Sequence, residues 1–303
     1  QLYEVRAGQN IFRTQHQIAT LLEKVNLPAH ARVLDYGCGK ASTLKGLCGR
    51  RDDVVPFVFD VGEQYRPFWN DFVPATNQAI SEVPVRWAGQ MDAVLSFFAL
   101  EHVTDPRAFV CAVHGLLKEG GAFYFLVPNI FANTADLVVA DHVNHFSAQS
   151  LQRLLVDAGF TVREINGEAH NSAWVVVAEK GEGVGVEAGT KSISQSVHEM
   201  AAYWNEFGDR VSVFEKAGSG AAAIYGSGFY GTFIHASLEQ PEAVVCFLDQ
   251  NPHRQQQVLL GKPIVSPEAL PETVQRLYVG LNPRVAQTEL AAEPLPELEM
   301  FLP

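Results

Sequence analysis

A hydrophobic strand that runs into a glycine turn and a helix start, with an acidic residue one strand further on, occurs in this chain twice. The first copy reads Arg32-Val33-Leu34-Asp35-Tyr36-Gly37-Cys38-Gly39 and is followed by Asp60. The second reads Ala222-Ala223-Ile224-Tyr225-Gly226-Ser227-Gly228-Phe229-Tyr230-Gly231 and is followed by Asp249. Each pattern builds a nucleotide-type crevice, because glycine lets backbone N–H groups approach a ligand and the helix behind it points its positive end at the same place. At 303 residues the chain is long for a single core, so two domains are expected.

Apolar runs at 32–36, 54–60, 93–98, 122–127 and 174–179 read as strands buried on both faces, with helical patterns at 105–117 and 147–158. The expected fold class is α/β. A doubly wound Rossmann-like domain occupies residues 1–180, opened by a helix within 9–25, and a smaller Rossmann-like α/β domain occupies 194–303. Between them, residues 181–193 are rich in glycine and short of bulky apolar groups, which reads as a linker. The second domain starts with a helix over about 194–217, and its strands are expected at 222–225, 243–248, 263–265 and 276–280.

Charge and cysteines narrow the partners. A formal net charge of −12 without a Lys/Arg run repels phosphate backbones, so a small-molecule substrate is expected and a nucleic acid is not. Cys38, Cys48, Cys111 and Cys246 lie far apart with no CxxC pair, which suits neither a zinc cluster nor a disulfide framework and fits a reduced cytoplasm. No apolar stretch reaches the roughly 20 residues that span a bilayer. The segment Gln1-Leu2-Tyr3-Glu4 does not read as a secretory signal.

The glycine count decides what the first crevice holds. Asp60 follows Gly39 by 21 residues, where a carboxylate can accept hydrogen bonds from both hydroxyls of a ribose. A GxGxxG turn would place its third glycine where Ser42 stands, and a P-loop would need a four-residue gap before the Gly-Lys pair. What remains is Asp35-x-Gly37-x-Gly39. Its leading acid opposes a diphosphate and suits a cation; S-adenosylmethionine offers an ammonium group, a sulfonium and a ribose. Here the chain resembles the class I S-adenosylmethionine-dependent methyltransferases. The motifs are Val33-Leu34-Asp35-Tyr36-Gly37-Cys38-Gly39, Met91-Asp92-Ala93-Val94-Leu95-Ser96 with Leu100-Glu101-His102-Val103, and Leu116-Leu117-Lys118-Glu119-Gly120-Gly121 with Val127-Pro128-Asn129. They hold the family's order over about residues 30–180. The resemblance implies cofactor contacts at Asp35, Gly37, Gly39 and Asp60, joined by Phe97, Glu101 and His102. Trp87-Ala88-Gly89 is the nearest candidate for the adenine. Ala41 stands where the family often has a third glycine, and its methyl group need not touch the cofactor.

Methyl transfer from a sulfonium is an in-line displacement whose leaving group needs no acid, so the protein must position the acceptor and, where necessary, remove its proton. The polar cluster Val138-Val139-Ala140-Asp141-His142-Val143-Asn144-His145-Phe146-Ser147 follows the fifth strand, and Ser147 is placed to cap the next helix. This segment and the carboxyl-terminal domain resemble the sugar C-methyltransferase group. That resemblance implies His142 as the base, Asp141 as its acidic neighbour and a sugar or nucleotide-linked sugar as acceptor. His145 is a further catalytic candidate, and Asn129, Asn144, Gly226, Gly228 and Tyr230 are candidate acceptor contacts. Val139 occupies a position where some of those enzymes have a catalytic tyrosine, and their cysteine-rich zinc module is missing. An O- or N-methylation with His142 as base therefore stays open. No metal is expected, since His142 and His145 lack an evident third ligand.

The second turn, Gly226-x-Gly228-x-x-Gly231, matches the dinucleotide fingerprint in full, and Asp249 comes 21 residues after Gly228. Alone it says NAD. The similar domain of the C-methyltransferase group carries signatures like Leu248-Asp249-Gln250-Asn251-Pro252 and Gly261-Lys262-Pro263-Ile264, has no redox role and helps close the acceptor site. Tight packing, acceptor contact and NAD all stay open for these glycines. The function expected is S-adenosylmethionine-dependent methylation of a small metabolite. The rivals are an NAD(P)-dependent oxidoreductase built on residues 220–303 and a catalytically idle two-domain binding protein.

Overall fold

The computed structural model describes residues 2–6, 9–186, 193–292 and 298–303. The chain divides into two compact units, one of Gln1–Ala132 with Val138–Lys191 and the other of Asn133–Leu137 with Ser192–Pro303.

The first unit opens with an antiparallel pair, β1 (Leu2–Arg6) and β2 (Gln9–Phe12), and the helix expected from residue 9 starts later, as α1 (Arg13–Lys24). The Gln15 side chain accepts the Phe12 N–H at 3.2 Å and so fixes the helix start, while Ile18 and Leu21 sink its apolar face into the core. There follow β3 (Arg32–Tyr36), α2 (Ser42–Arg50), β4 (Val55–Asp60), β5 (Gln78–Ile80), β6 (Met91–Phe97) and α3 (Pro106–Leu116). The unit ends with β7 (Leu117–Pro128), α4 (Ala148–Asp157), β8 (Phe160–Asn166) and β9 (Ala173–Lys180).

Its sheet has the order β5-β4-β3-β6-β7-β9-β8, parallel as far as β7 and antiparallel in the last two strands. Alternate residues of β3 face opposite sides: Val33 joins one hydrophobic cluster and Leu34 the other, so helices cover both faces. From β3 the chain steps to β4 on one side and later to β6 on the other. The order reverses there, and the carboxyl ends of β3, β4 and β6 open a crevice between them.

The helices around it start where the residues dictate. Asp105 accepts the Ala108 N–H at 2.9 Å ahead of Pro106, and Ser147 and Ser150 exchange hydrogen bonds at the start of α4. Each cap contributes about 1 kcal/mol. Leu151 and Leu155, both fully buried, add about 1.5–3 kcal/mol each. The glycine-rich stretch begins as part of this unit rather than as a free linker. Val184 accepts the Val162 N–H at 2.8 Å, and Val186 donates to Gln152 Oε1 at 3.2 Å and packs on the core. Residues 187–192 of the expected linker lie outside the described residues.

The second unit contains α5 (Ile193–Ala217), β10 (Ala221–Tyr225), α6 (Phe229–Ser237), β11 (Val244–Leu248), β12 (Val258–Leu259), β13 (Lys262–Val265), β14 (Val274–Val279), α7 (Pro283–Ala292) and β15 (Glu299–Phe301). Its sheet, β12-β13-β11-β10-β14-β15, is parallel except for β12, and β10 has the switch-point place that β3 has in the first unit. Segment 133–137 is stitched into this unit. Tyr230 donates to Asn133 Oδ1 at 3.0 Å and accepts the Ala135 N–H at 3.1 Å, while Trp204 donates to the Thr134 carbonyl at 2.8 Å and stacks on the Tyr230 ring. Among the described residues no helix is long and apolar enough to cross a membrane.

Candidate active site

At the switch point of the first unit, Asp35 is 2% exposed, and its Oδ1 is buried without a hydrogen-bond partner. Burial, reinforced by the charge of Asp60, pushes its carboxyl up to about 8. A carboxyl held this way stays protonated at neutral pH until a cation compensates it.

The glycine turn beside it is built from left-handed backbone. Gly37 has φ +74°, and a Cβ there would lie 2.7 Å from the Cβ of Ala99. Gly39 has φ +49°, and a Cβ there would meet nothing within 4 Å, so the turn presents bare backbone to open space. Asp60 locks the turn from the next strand: Oδ2 accepts the Gly39 N–H at 2.7 Å and Oδ1 the Gly62 N–H at 2.8 Å. Each oxygen keeps a second lone pair for a ribose hydroxyl. Trp69 pins the far side by donating to the Gly39 carbonyl at 2.8 Å.

A buried carboxyl with one unpartnered oxygen, open glycine backbone and an acid with lone pairs to spare together fit an adenosyl ligand that carries an ammonium group, and so they fit S-adenosylmethionine. Ala41 takes φ +51°, a conformation that costs a residue with a Cβ roughly 1–2 kcal/mol. The absent third glycine is therefore felt in the backbone. Burial, then the charges of Asp35 and Asp60, push the Cys38 thiol well up, so it is inert.

Trp87 does not serve the adenine as expected. It is buried in the core, edge-on to Phe57 at 5.2 Å, so its ring is packed against the protein and not open to a ligand. Phe97 closes β6 with its ring edge-on to Tyr124. The next residue, Phe98, holds φ +56° and lies under the Arg13 guanidinium at 3.9 Å. A bulky residue in that region is strain of the kind stored at functional sites. The sequence gives no sign of it, since nothing in the residue type marks a positive φ.

The turn after β6 carries Glu101, 1% exposed, and His102. The loop after β7 folds back onto it. Asn144 donates its backbone N–H to the Glu101 carbonyl at 3.1 Å and its side-chain amide to the Val103 carbonyl at 2.5 Å. His102 donates through Nδ1 to the Asp141 carbonyl at 2.9 Å, which leaves Nε2 facing Glu101 Oε1 at 3.9 Å. The His142 ring stands edge-on to His102 with centroids 4.9 Å apart.

Donor atoms of Glu101, His102 and His142 all lie within 4.8 Å of one another. The sequence pairs His142 with His145 and finds no third ligand; folding supplies two other donors from the turn after β6. Burial, then the neighbouring His102, lowers the His142 pKa against the pull of Asp141, and burial lowers that of His145. Both are neutral imidazoles at pH 7. Asn129 is placed at the end of β7, where its Oδ1 accepts the Phe131 N–H and shapes the turn.

With that geometry in place, the comparison with known families is decisive: residues 10–165, just over half the chain, match the model described as "Methyltransferase domain". The chain belongs to the methyltransferase domain family. S-adenosylmethionine is the cofactor of its domain. The chain is 29% identical over 153 residues to the ubiquinone biosynthesis O-methyltransferase of Xanthomonas axonopodis pv. citri (strain 306), a match covering 49% of this chain and 62% of that protein. It is 28% identical over 189 residues to the enzyme of the same name from Acinetobacter baumannii (strain AYE), covering 53% and 78%. The match thus spans less than two thirds of the Xanthomonas relative. An S-adenosylmethionine-dependent methyltransferase structure from Mesorhizobium loti aligns at a TM-score of 0.44 and 15% identity, over 54% of this chain and 97% of that one.

The second unit of this methyltransferase repeats the hydrogen-bond scheme of the first. Asp249 accepts the Asn251 N–H through Oδ1 at 2.8 Å, and through Oδ2 the N–H of Ser227 at 3.3 Å and the Ser227 hydroxyl. Gly226 has φ +100°, and a Cβ there would lie 2.4 Å from the Gly280 carbonyl oxygen; a Cβ on Gly231 would lie 1.9 Å from the Gly226 carbonyl oxygen. These two glycines serve close strand–helix packing. Gly228 alone faces open space, beside an Arg254 guanidinium that donates to the Ser227 carbonyl at 2.5 Å. Tyr230, read from the sequence as an acceptor contact, has its hydroxyl turned onto residues 133–135 instead.

Proposed function

We propose that this methyltransferase methylates a hydroxyl of a small acceptor, with His142 taking the hydroxyl proton. The observation that carries the reading is that a neutral His142, on the loop after β7, packs edge-on against His102 of the turn after β6, at the same sheet edge as the Asp35–Asp60 crevice. When bound, S-adenosylmethionine supplies an electrophilic methyl group whose carbon bonds to the acceptor oxygen as its bond to sulfur breaks. Asp35 holds the ammonium group and Asp60 the ribose. Asn144 keeps the loop on the turn and so holds His142 beside His102.

Oxygen is favoured over carbon as the methylated atom, because Val139 offers no hydroxyl where a carbanion mechanism has its tyrosine, and because the curated relatives are named as O-methyltransferases. For the acceptor, an imidazole of lowered basicity works best on an acidic hydroxyl such as a phenol, with an ordinary pKa near 10. A nucleotide-linked sugar is the second reading, favoured by the open Gly228 turn with Asp249 and Arg254. Four free cysteines agree with a cytoplasmic setting.

The test is single-turnover methylation by His142→Gln with a phenolic and a nucleotide-sugar acceptor in parallel. The rate should fall roughly 10²- to 10⁴-fold while S-adenosylhomocysteine affinity stays unchanged. A wild-type rate removes His142 from the mechanism.

A further inference from the structure

We propose that Trp69 is a positioning residue for S-adenosylmethionine: its indole N–H holds the Gly39 carbonyl and so keeps the glycine turn in its binding shape before the cofactor arrives. The role presupposes the cofactor in the crevice between β3, β4 and β6, as the methyl-transfer reading has it.

The turn needs holding. Residues 37, 39 and 41 all take left-handed backbone, with φ +74°, +49° and +51°, and the last of them is an alanine. Such backbone is disfavoured for a residue with a Cβ, and the glycines leave the peptides beside them free to rotate. The end of β4 restrains the donor side. The Phe59 carbonyl accepts the N–H of Gly37 at 2.9 Å and of Cys38 at 3.1 Å, and Asp60 accepts that of Gly39 at 2.7 Å. None of these bonds reaches the peptide that joins Gly39 to Lys40. Trp69 holds that peptide, with Nε1–H donating to the Gly39 carbonyl at 2.8 Å; the Cys38 thiol, a weak donor, stands 3.7 Å from the same oxygen.

The indole is itself well anchored. Trp69 is 0% exposed and packs in one hydrophobic cluster with Ala41 and Leu44. Its carbonyl accepts the N–H of Phe72 at 3.1 Å and of Val73 at 2.9 Å, and the Gln78 side chain of β5 donates to the Val73 carbonyl at 2.8 Å. Lys40 adds a second tie, its ammonium 4.8 Å from the centroid of the Phe68 ring. The connection that leaves β4 thus grips both polar groups of Gly39, the N–H through Asp60 and the carbonyl through Trp69. Without the indole N–H the Gly39–Lys40 peptide can turn over. Only the fraction of molecules that keeps the present shape then binds directly, and apparent affinity falls by that fraction.

Calorimetry with S-adenosylhomocysteine on wild type, Trp69→Phe and Trp69→benzothienylalanine tests this role, since benzothienylalanine keeps the shape of tryptophan and puts sulfur where the N–H was. Both variants should bind about tenfold more weakly. Hydrogen exchange at residues 37–41 should quicken in the free variants and return to wild-type protection once S-adenosylhomocysteine is bound. Trp87→Phe, at a ring buried in the other hydrophobic cluster of the same unit, should lower the melting temperature and leave the affinity unchanged. Wild-type affinity in the benzothienylalanine protein overturns the proposal, even if Trp69→Phe binds weakly, and so does an equal loss of affinity in Trp87→Phe. If the wild type itself binds no S-adenosylhomocysteine, the cofactor crevice falls and this role with it; binding by the wild type with equal affinity in both Trp69 variants removes Trp69 alone.

Discussion

Asp60 accepts the Gly39 N–H at 2.7 Å, so the acid proposed to hold the ribose is tied to the glycine turn proposed to hold the methionine end of the cofactor. The two come from different strands, and the bond between them sets the shape of the crevice before any ligand arrives. Preorganisation of this kind reduces the ordering cost of binding.

The glycine turn should tolerate no side chain at Gly37. With φ +74° and a Cβ position 2.7 Å from Ala99, Gly37→Ala costs roughly 1–2 kcal/mol in backbone strain before the displacement of Ala99 is counted. A lower melting temperature and S-adenosylhomocysteine binding weakened at least tenfold are expected. Gly49→Ala supplies the contrast, since Gly49 lies in α2 with open space around its Cβ position. It should raise stability by about 0.4–1 kcal/mol.

Asp35 should make both stability and cofactor affinity depend on pH, in opposite directions. Its folded, ligand-free carboxyl keeps its proton up to about 8, whereas the unfolded chain loses it in the ordinary carboxylate range. Between those values the folded state binds more protons, so this group's contribution to stability falls as pH rises toward 8. Asp35→Asn should flatten that loss in melts followed across pH. The cofactor's ammonium group needs the ionised form, so S-adenosylhomocysteine affinity should climb toward pH 8 with proton release below it. Calorimetry in buffers of different ionisation enthalpy checks this, and an affinity flat between about pH 6 and 8 would contradict it.

The strands of both sheets that carry the crevices were legible because buried parallel strands are continuous apolar runs, as in Val33–Leu34 and Ala223–Ile224. The edge strands were not. Gln78–Ile80 is three residues long, and Thr161, Arg163 and Glu164 break up the apolar run of Phe160–Asn166. Of the proposed site, the meeting of Asp35, Gly37, Gly39 and Asp60 at one crevice could be expected from the sequence because each is fixed by its distance from a strand end. The convergence of Glu101 and His102 with His142 could not, since it depends on Asn144 folding a loop back across the sheet edge. Trp87 misled because its position near the crevice in sequence says nothing about which way its ring packs.

Tyr230→Phe tests the stitching of segment 133–137 into the second unit. The lost hydroxyl leaves the Ala135 N–H and the Asn133 side chain without their buried partner, a loss of about 1–3 kcal/mol. Urea unfolding should show a lower midpoint. An unchanged midpoint would mean that the tyrosine's hydrogen bonds contribute nothing to the fold.

Isothermal titration of S-adenosylhomocysteine into wild type and Asp60→Ala tests the central claim most directly. If the crevice between β3, β4 and β6 is the cofactor site, the wild type binds one equivalent and the variant binds at least tenfold more weakly, about 1.4 kcal/mol. Equal affinity in the two proteins, or no binding by the wild type, would contradict it.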